Sequence, residues 1–365
     1  MTTPICAGCG KRISGRYIRA LGRSWHTACF RCAGCGRPIG EQRFLEHGGR
    51  PYHSQCYHER FSPRCAACGQ PIIGQRIEAL GKQWHPEHFV CAHCHKPFAG
   101  NSFYERDGRA YCEYDYHQLF SPRCAICGQP MRGTYLTNAW GESFCQHHTE
   151  QYPKCFSCGR LISSRLTDGG VRYGDGRTVC NLCRRTAIDH NRQGQRILAQ
   201  VQRGLARLGL DIDRFEFPLR LTDQQELNRL STHRYNKQPT GMARTRLTTR
   251  NGQVIGRHVE EILVLHDLPL EHAAGVMAHE LGHAWLFLHA FPQLPPMVEE
   301  GLCNLCEYLW LRWRRGPEAE YHQRLLEENT DPIYGDGFRA ARRALQSRTL
   351  PQLLTYVQQH RRFPR

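Results

Sequence analysis

Pairs of cysteines spaced by two residues recur at a fixed interval along the first half of this chain. The three copies begin at Cys6, Cys65 and Cys124, each 59 residues after the one before. The pentapeptide FSPRC ends at the first cysteine of the second and third copies, and a Trp-His pair recurs at the same offset in the first two. Self-similarity at a fixed period marks a repeated structural unit. The sequence therefore predicts three copies of one small module.

The candidate metal ligands of the first two copies fall into groups of four, with two residues between the members of every pair. In the first copy they are Cys6, Cys9, His26, Cys29 and then Cys32, Cys35, His53, Cys56. In the second copy they are Cys65, Cys68, His85, His88 and then Cys91, Cys94, Cys112, Asp115. This spacing lets a tight turn present two ligands to one tetrahedral Zn²⁺. We therefore predict two zinc sites in each copy.

The third copy departs from this arrangement. Its first predicted group is Cys124, Cys127, Cys145 and His148, and a six-residue gap separates it from the second group, Cys155, Cys158, Cys180 and Cys183. His147 is an alternative to His148, but the two-residue gap after Cys145 favours the latter. We predict a variant of the same module with two further zinc sites.

Zinc explains these cysteines better than disulfides do. Twenty cysteines are present and eighteen precede residue 184, an even number that would also fit a secreted disulfide scaffold. A disulfide, however, has no use for imidazoles or for the Asp115 carboxylate at ligand positions. Modules of this size bury too little apolar surface to fold unaided, so six Zn²⁺ ions are expected to serve as their cores. Their role is structural because protein ligands fill all four positions.

The first two modules resemble LIM domains over residues 6 to 115. They share the ligand order, the 16 residues between the second and third ligands, and the Trp before the first histidine. LIM modules commonly bind other proteins, so the resemblance implies LIM-binding protein partners. The third module is LIM-like.

The formal charge of +16 does not by itself indicate nucleic acid as a partner. Residues 1 to 187 contain 25 Lys and Arg against 13 Asp and Glu, which gives +12. Six Zn²⁺ ions and eighteen thiolates change this by 12 − 18, to +6. No long basic run or recognition-helix pattern accompanies the charge, so we do not expect nucleic-acid binding. No run of 18 apolar residues occurs either, and a candidate ligand is reached at Cys6, so we expect a soluble cytoplasmic protein with no membrane partner.

The second half has the pattern of an α+β domain. Apolar residues at helical spacing between Ile188 and Leu208 predict an amphipathic helix that joins the two halves. The segment FPLRL predicts a short strand, and Thr222 or Asp223 is the expected N-cap of the next helix. An Asn-Gly pair at 251–252 predicts a hairpin turn, and EEILVLHD then predicts a strand.

The segment AHELGHAW contains His279, Glu280 and His283 in the pattern H-E-x-x-H. In a chain with 21 histidines this pattern can arise by chance, so its context must decide. On a helix, two histidines four residues apart project from one face and can bind one metal, and Glu280 lies beside them to take a proton from water. The flanking residues are apolar nearly all round, which predicts a buried helix, and clustered polar groups on a buried helix indicate a function. The alternative is a pair of hydrogen-bonded core histidines.

The segment PPMVEEGLC offers a third ligand, Glu300, with 16 residues between it and His283. We predict Glu300 rather than Glu299, because Glu299 falls near the apolar stripe of the helix whereas Glu300 shares its face with Glu307. The run from Glu300 to Glu307 also resembles the third-ligand helix of aminopeptidase N-like gluzincins, in which the glutamate before the glycine is the ligand. The alternative is that both glutamates only favour the positive end of the helix.

Three further expectations concern the surroundings of this site. Tyr334 is a candidate catalytic residue, because a phenol can donate a hydrogen bond to a developing oxyanion, although it can equally be an ordinary packed tyrosine. Cys303 and Cys306 are expected to be buried helix cysteines rather than a seventh structural site. We expect substrate to extend along EEILVLHD by adding a strand to an exposed edge.

Taken together, the zinc modules and the segments DGRTVCNLC, LVLHDLP, AHELGHAWL, VEEGLC and YGDGFR resemble a known family from Cys6 to about Phe363. It is the family of LIM-domain peptidases first recognised as ubiquitin-activated regulators of organ size in plants. The resemblance implies a zinc endopeptidase acting on selected protein partners, with His279, His283 and Glu300 holding a catalytic zinc. Plant members begin with ubiquitin-interacting motifs, whereas this sequence starts at its first zinc module, so ubiquitin as a partner is an expectation that rests on the resemblance alone.

The predicted fold class is three small zinc-stabilised LIM or LIM-like β modules followed by an α+β gluzincin-type metallopeptidase domain. The predicted domains are residues 1–60 and 61–120 for the LIM domains, 121–187 for the LIM-like module and 188–365 for the peptidase domain. The predicted cofactors are six structural and one catalytic Zn²⁺. The alternative function is a LIM-type interaction adaptor with an inactive peptidase-like domain, which would have no need of Glu280.

Overall fold

The structure is a computed structural model that describes residues 3–98, 102–231 and 238–364. The chain divides after Ser121 into two compact units, Met1–Ser121 and Pro122–Arg365. None of the helices within the described residues is both long and apolar enough to cross a membrane.

The first unit contains two modules of the same design, each with two antiparallel hairpins and a closing helix. The elements of the first module are β1 (Tyr17–Ala20), β2 (Arg23–His26), β3 (Phe44–His47), β4 (Arg50–His53) and α1 (Ser54–Phe61). Those of the second are β5 (Ile77–Ala79), β6 (Lys82–Trp84), β7 (Tyr104–Arg106), β8 (Arg109–Tyr111) and α2 (Glu113–Phe120), with a 3₁₀ turn at Pro86–His88. Each module buries only a few large side chains, such as Phe30 in the first and Phe89 in the second. So small a core leaves the fold dependent on its ligand clusters.

The third module belongs to the second unit and packs directly on the helices that follow it. Its elements are β9 (Tyr135–Thr137), β10 (Ser143–Cys145), α3 (His148–Gln151), α4 (Ser164–Thr167), β11 (Gly170–Arg172), β12 (Thr178–Cys180) and α5 (Asn181–Arg184). The Trp140 ring stacks on Tyr321 at a centroid distance of 4.9 Å. The buried Arg177 guanidinium donates to the His266 carbonyl at 3.2 Å. Stacking and a buried hydrogen bond hold this module against the rest of its unit.

The remaining chain forms an α+β domain, as the sequence predicts. Its elements are β13 (Ala187–Ile188), α6 (Asn191–Arg207), β14 (Leu219–Thr222), α7 (Gln224–Leu230), β15 (Gly241–Arg250), β16 (Gln253–Leu265), β17 (Leu268–Pro269), α8 (Leu270–Leu288), α9 (Pro296–Arg314), α10 (Pro317–Glu328), α11 (Tyr334–Leu345) and α12 (Leu350–His360). Helix α6 is the predicted joining helix, but it begins at Asn191. Ile188, which the sequence placed on that helix, instead pairs with Leu268 in a two-residue bridge between β13 and β17.

Local sequence signals account for several of these boundaries. Asp223 caps α7, because its carboxylate accepts the Glu226 backbone N–H at 2.7 Å. Asn251 and Gly252 both have positive φ, at 49° and 76°, which suits the tight turn between β15 and β16. Pro296 occupies the first turn of α9, where its missing N–H costs nothing.

The domain sheet has the order β14-β16-β15, with β14 parallel and β15 antiparallel to the central strand. The segment Ile262–Leu265 of β16 pairs with a strand on each side. The prediction that substrate adds to EEILVLHD is therefore wrong, because the backbone groups of that segment are already used. Among the described residues, no strand pairs with the outer edge of β15.

Helices α9 and α11 approach so closely that only glycine fits between them. A Cβ added to Gly337 would lie 2.3 Å from the Met297 carbonyl oxygen, and one added to Gly301 would lie 2.5 Å from the Gly337 carbonyl oxygen. Both contacts are with backbone atoms, which cannot shift without distorting a helix. This contact fixes the N-terminal half of α9, which carries Glu299 and Glu300, against Tyr334 at the start of α11.

We predict that Gly337→Ala destabilises the second unit by about 1–3 kcal/mol, the usual cost of overpacking a close contact. The midpoint of chemical denaturation of the full chain, followed by tryptophan fluorescence, measures the change. Arg343→Ala on the exposed face of the same helix is the control and is expected to stay within about 0.5 kcal/mol of wild type. Equal midpoints for Gly337→Ala and wild type would contradict the close-approach account.

Candidate metal centre

At least five of the six predicted groups in the zinc-rich half bring all four ligand atoms within 4.8 Å of one another. They are Cys6, Cys9, His26, Cys29; Cys32, Cys35, His53, Cys56; Cys65, Cys68, His85, His88; Cys124, Cys127, Cys145, His148; and Cys155, Cys158, Cys180, Cys183. All twenty cysteines carry free thiols. These are zinc-binding Cys/His groups of the kind that the spacing predicts.

The distances inside these groups suit tetrahedral zinc. Zinc–sulfur bonds of about 2.3 Å place two sulfurs of a tetrahedron about 3.8 Å apart. The Cys155 and Cys183 sulfurs are 3.8 Å apart, and those of Cys158 and Cys180 are 3.7 Å apart. The four-cysteine group of the third module thus has the dimensions of a closed zinc site.

The sixth group is the second site of the second module. Asp115 Oδ2 lies 3.1 Å from the sulfur of Cys91 and 3.1 Å from that of Cys112. The Cys94 sulfur lies 4.0 Å from that of Cys112. The thiols of Cys94 and Cys91 hold the pKa of the Asp115 carboxyl below its usual range. The carboxylate therefore lies among the three thiols, where the ligand order predicts it.

The structure distinguishes His148 from its neighbour His147. His148 lies in the ligand group, and its Nδ1 is 3.0 Å from the Gln151 side-chain oxygen. Its Nε2 is buried and has no hydrogen-bond partner in the part of the chain that the structure describes. A buried imidazole nitrogen without a partner is costly unless a metal binds it. This favours His148 as the ligand.

In the second half, α8 brings His279, Glu280 and His283 to one position beside α9. Helix α8 is apolar around most of its surface, and twelve of its residues are buried. These three polar residues line one cavity together with the first turns of α9 and the start of β15. The sequence pattern and the helix agree, since residues four apart lie on one face.

Three ligand atoms form a nearly regular triangle. His279 Nε2 and His283 Nε2 are 3.2 Å apart, and Glu300 Oε2 lies 3.3 Å from the first and 3.6 Å from the second. Metal bonds of about 2.0–2.1 Å to nitrogen and oxygen predict edges of about 3.3 Å for a tetrahedral zinc. Glu300 is buried, and its Oε2 has no hydrogen-bond partner among the described residues. The two imidazole nitrogens and the unpartnered Glu300 oxygen therefore fit three ligands of a tetrahedral zinc ion. One position is left for another ligand.

The pKa of the Glu300 carboxyl also suits a metal ligand. Burial raises the pKa of its carboxyl, but the imidazoles of His279 and His283 outweigh burial and hold the pKa below its usual value. The group is therefore a carboxylate at neutral pH, as a metal ligand must be.

A carboxylate lies near the Nδ1 atom of each histidine, but only one of the two is within hydrogen-bonding distance. Glu299 Oε1 lies 3.1 Å from His283 Nδ1, a hydrogen-bonding distance. Glu307 Oε2 is 3.9 Å from His279 Nδ1, beyond that distance. The helical angle placed Glu299 near the apolar stripe of α9 and gave no indication of the imidazole opposite it, so this contact was not predicted from the sequence. An acidic partner on the far nitrogen orients a ligating imidazole.

Glu280 lies beside the triangle and against the start of β15. It is 7% exposed, and it lines the same cavity as Gly241, Met242 and Ala243. A Cβ added to Gly241 would lie 2.9 Å from Glu280 Cγ, so the strand rests directly on this side chain. Burial raises the pKa of the Glu280 carboxyl. Gly241 and Ala243 could not be predicted as site residues, because a short Gly-Met-Ala segment matches no known functional motif.

Tyr334 lies on the opposite wall of the same cavity. This cavity of about 170 Å³ is lined by the metal-centre residues, by Gly241, Met242 and Ala243 of β15 and by Tyr334. Burial raises the pKa of the Tyr334 phenol, which keeps it a hydrogen-bond donor at neutral pH. Asn304 on α9 donates to its backbone carbonyl at 3.0 Å and so fixes the start of α11.

Cys303 and Cys306 are both buried, as expected for helix cysteines. The sulfur of Cys303 would lie 3.2 Å from a Cβ added to Gly282. A glycine between Leu281 and His283 therefore allows α9 to pack against α8 at the level of the ligands. Burial raises the pKa of the Cys303 thiol to about 12, so it is not ionised at neutral pH.

Comparison with known proteins finds similarity in both halves of the chain. A family model of the LIM domain matches residues 6–61 and 65–120, and a model described as Protein DA1 matches residues 218–323. Protein DA1 of Arabidopsis thaliana is 27% identical over 416 aligned residues, which span 99% of this chain and 68% of that protein. The third zinc module lies between the two family matches. His279, Glu280, His283, Glu299 and Glu300 all lie inside the second match.

We predict that Glu300→Ala lowers the zinc content of the purified chain by one ion, because it removes a ligand and leaves two imidazoles. Glu299→Ala is the matched variant on the adjacent residue. It is expected to retain the ion with an affinity weakened by about 10–100-fold, since it removes an orienting contact only. Elemental analysis and zinc titration measure both quantities. Loss of the ion from Glu299→Ala alone would show that the ligand is one residue away from our assignment.

Proposed function

We propose that this chain, in which LIM domains precede a DA1-like domain, is a zinc-dependent endopeptidase that cleaves selected protein partners. One observation carries the proposal: two imidazoles and an orphaned buried carboxylate form a zinc-sized triangle beside a buried glutamate. This is the two-histidine, one-glutamate donor set of a catalytic zinc site with an open fourth position. A closed structural site would have a fourth protein ligand.

The metal ligands and Glu280 have different roles in the proposed peptide hydrolysis. Zinc bound by His279, His283 and Glu300 would supply a Lewis acid that polarises the scissile carbonyl and promotes ionisation of water. Glu280 takes the proton from the attacking water and donates it to the leaving amine. The start of β15 packs against Glu280 at Gly241 and so limits the movement of the carboxylate between the two transfers.

The edge of β15 is the place for an extended substrate. The N–H and C=O groups on its outer side are not used by another described strand, and Gly241–Ala243 lines the cavity. A substrate strand added there would form backbone hydrogen bonds with β15, and these bonds do not depend on the substrate's side chains. It also places a substrate carbonyl next to Glu280, since Ala243 touches that side chain.

The LIM domains supply the selectivity in this proposal. LIM domains generally mediate contacts between proteins, and the zinc sites in these two are closed by four protein ligands each. They can bring a partner to the peptidase or restrain it. A family that includes Protein DA1 also makes ubiquitin a partner to test.

We predict that Glu280→Gln abolishes cleavage of a proteome-derived peptide library while folding and zinc content stay unchanged. The substitution removes a proton acceptor but no ligand, and a general base contributes about 10²–10⁴-fold to the rate. Glu320→Gln, the same change at an exposed site on α10, is the control and should cleave normally. Cleavage by Glu280→Gln at the wild-type rate would overturn the mechanism. A wild-type chain that binds its seventh zinc and cleaves nothing would favour an adaptor with an inactive domain.

We further predict that Tyr334→Phe lowers kcat by about 10²–10³-fold and changes KM little, because a hydrogen bond to the tetrahedral intermediate forms only as the oxyanion develops. Tyr308→Phe, which removes another buried phenol from the same domain, is the matched control. If both variants retain wild-type kcat, Tyr334 is a packing residue and the oxyanion has no protein donor there.

A further inference from the structure

Strands β15 and β16 continue well beyond the body of the domain as a two-stranded ribbon. Only Ile262–Leu265 of β16 has a second neighbour, whereas the ladder between β15 and β16 runs out to Arg250 and Gln253. Every residue from 245 to 255 is exposed. We call residues 245–259 the outer ribbon.

The outer ribbon exposes apolar side chains that no described residue of its own unit covers. Leu247 and Val254 are each 48% exposed, and Ile255 is 61% exposed. An isolated two-stranded ribbon is marginally stable in water, so a long one with bare apolar side chains is better suited to a partner than to solvent.

The charge of the outer ribbon indicates what kind of partner it suits. The ribbon contains Arg246, Arg250, Arg257 and His258 and no acidic residue. Arg246 has a carboxylate of Glu260 at 3.4 Å, and Arg257 donates to the Phe287 carbonyl. Arg246 and Arg250 are both exposed and lie an even number of residues apart, so their side chains share one face of β15. A chain with acidic side chains complements that face.

The ribbon is also continuous with the catalytic cavity. The Thr240 carbonyl accepts the Leu265 N–H, so Ala243, three residues later on the strand of Thr245 and Leu247, directs its N–H and C=O to the outer side. The extra residue at the register shift after Arg244 is Glu260 of β16, so β15 itself keeps its regular alternation. In an antiparallel pair, alternate residues direct their N–H and C=O groups to the same side. The outward groups of Thr245 and Leu247 therefore continue the row that begins at Ala243. A substrate strand that leaves the cavity along β15 meets the outer ribbon next.

We propose that the outer ribbon binds the part of the substrate that precedes the scissile bond, as an extended segment with acidic side chains. This inference rests on the proposed peptidase function and specifies its substrate class. Antiparallel pairing is the commoner arrangement, and it places residues N-terminal to the scissile bond over the later residues of β15.

The position of the acidic residues follows from strand geometry. Arg246 and Arg250 are three and seven residues beyond Ala243, which is about 10 and 23 Å at about 3.3 Å per residue. With the scissile carbonyl beside Ala243, the preferred acidic residues lie about three to seven positions before the scissile bond. A peptide that ends two residues before that bond cannot reach either arginine.

The test compares the full-length wild type with Arg246→Glu/Arg250→Glu on a proteome-derived peptide library. The wild type is expected to enrich Asp and Glu at those positions, and the double reversal is expected to lose the enrichment. Arg192→Glu/Arg196→Glu at the exposed start of α6, beside β14 at the other edge of the sheet, changes the net charge equally and should keep it. Leu247→Pro removes one outward N–H and leaves the ladder to β16 intact, so it should lower kcat/KM for a long peptide at least tenfold and spare a peptide that ends two residues before the bond.

The outcomes separate this inference from the proposed function. Cleavage with the same sequence profile in wild type and double reversal overturns the ribbon proposal and leaves the peptidase standing. Wild-type protein that cleaves no peptide overturns both. If the double reversal cleaves normally but no longer binds vesicles of anionic phospholipid that the wild type binds, the ribbon is a lipid-binding hairpin and the proposal is wrong.

Discussion

Burying the Glu300 carboxylate between two imidazoles costs several kcal/mol unless a cation lies among them. The carboxylate oxygen that faces both rings has no hydrogen-bond donor within the described residues. Much of the domain serves to hold this arrangement. Glycines at 282 and 301 allow α9 to lie close to α8 on one side and to α11 on the other, and Glu299 orients one of the rings. A bound zinc ion would offset this cost, and in the proposed function the adjacent Glu280 is the general base.

The zinc modules also depend on metal coordination, because they bury little apolar surface. A few aromatic and aliphatic side chains cannot offset the ordering of some 60 residues in each module, so the clusters of thiols and imidazoles replace the missing core. The third module adds a feature of its own. It packs through Trp140 on helix α10 and through Arg177 on the turn after β16, so its two clusters stabilise the same compact unit that holds His279, His283 and Glu300.

Short, strongly constrained motifs were predictable from the sequence, and long-range geometry was not. Ligand spacing in the modules, the helical face of His279 and His283, and the Asn251-Gly252 turn each depend on residues close together in the chain. The edge strand could not be predicted, because the pairing of Ile262–Leu265 on both sides requires knowing where Leu219–Thr222 lies. The role of Glu299 was missed for the same reason, since its partner is 16 residues away on another helix.

The presence of zinc at the triangle of His279, His283 and Glu300 is the central claim, and anomalous diffraction at the zinc absorption edge from crystals of the full chain tests it most directly. The account predicts seven peaks, six within the zinc modules and the seventh about 2.0–2.2 Å from His279 Nε2, His283 Nε2 and Glu300 Oε2. Six peaks confined to the modules, from protein crystallised with zinc at neutral pH, would contradict it.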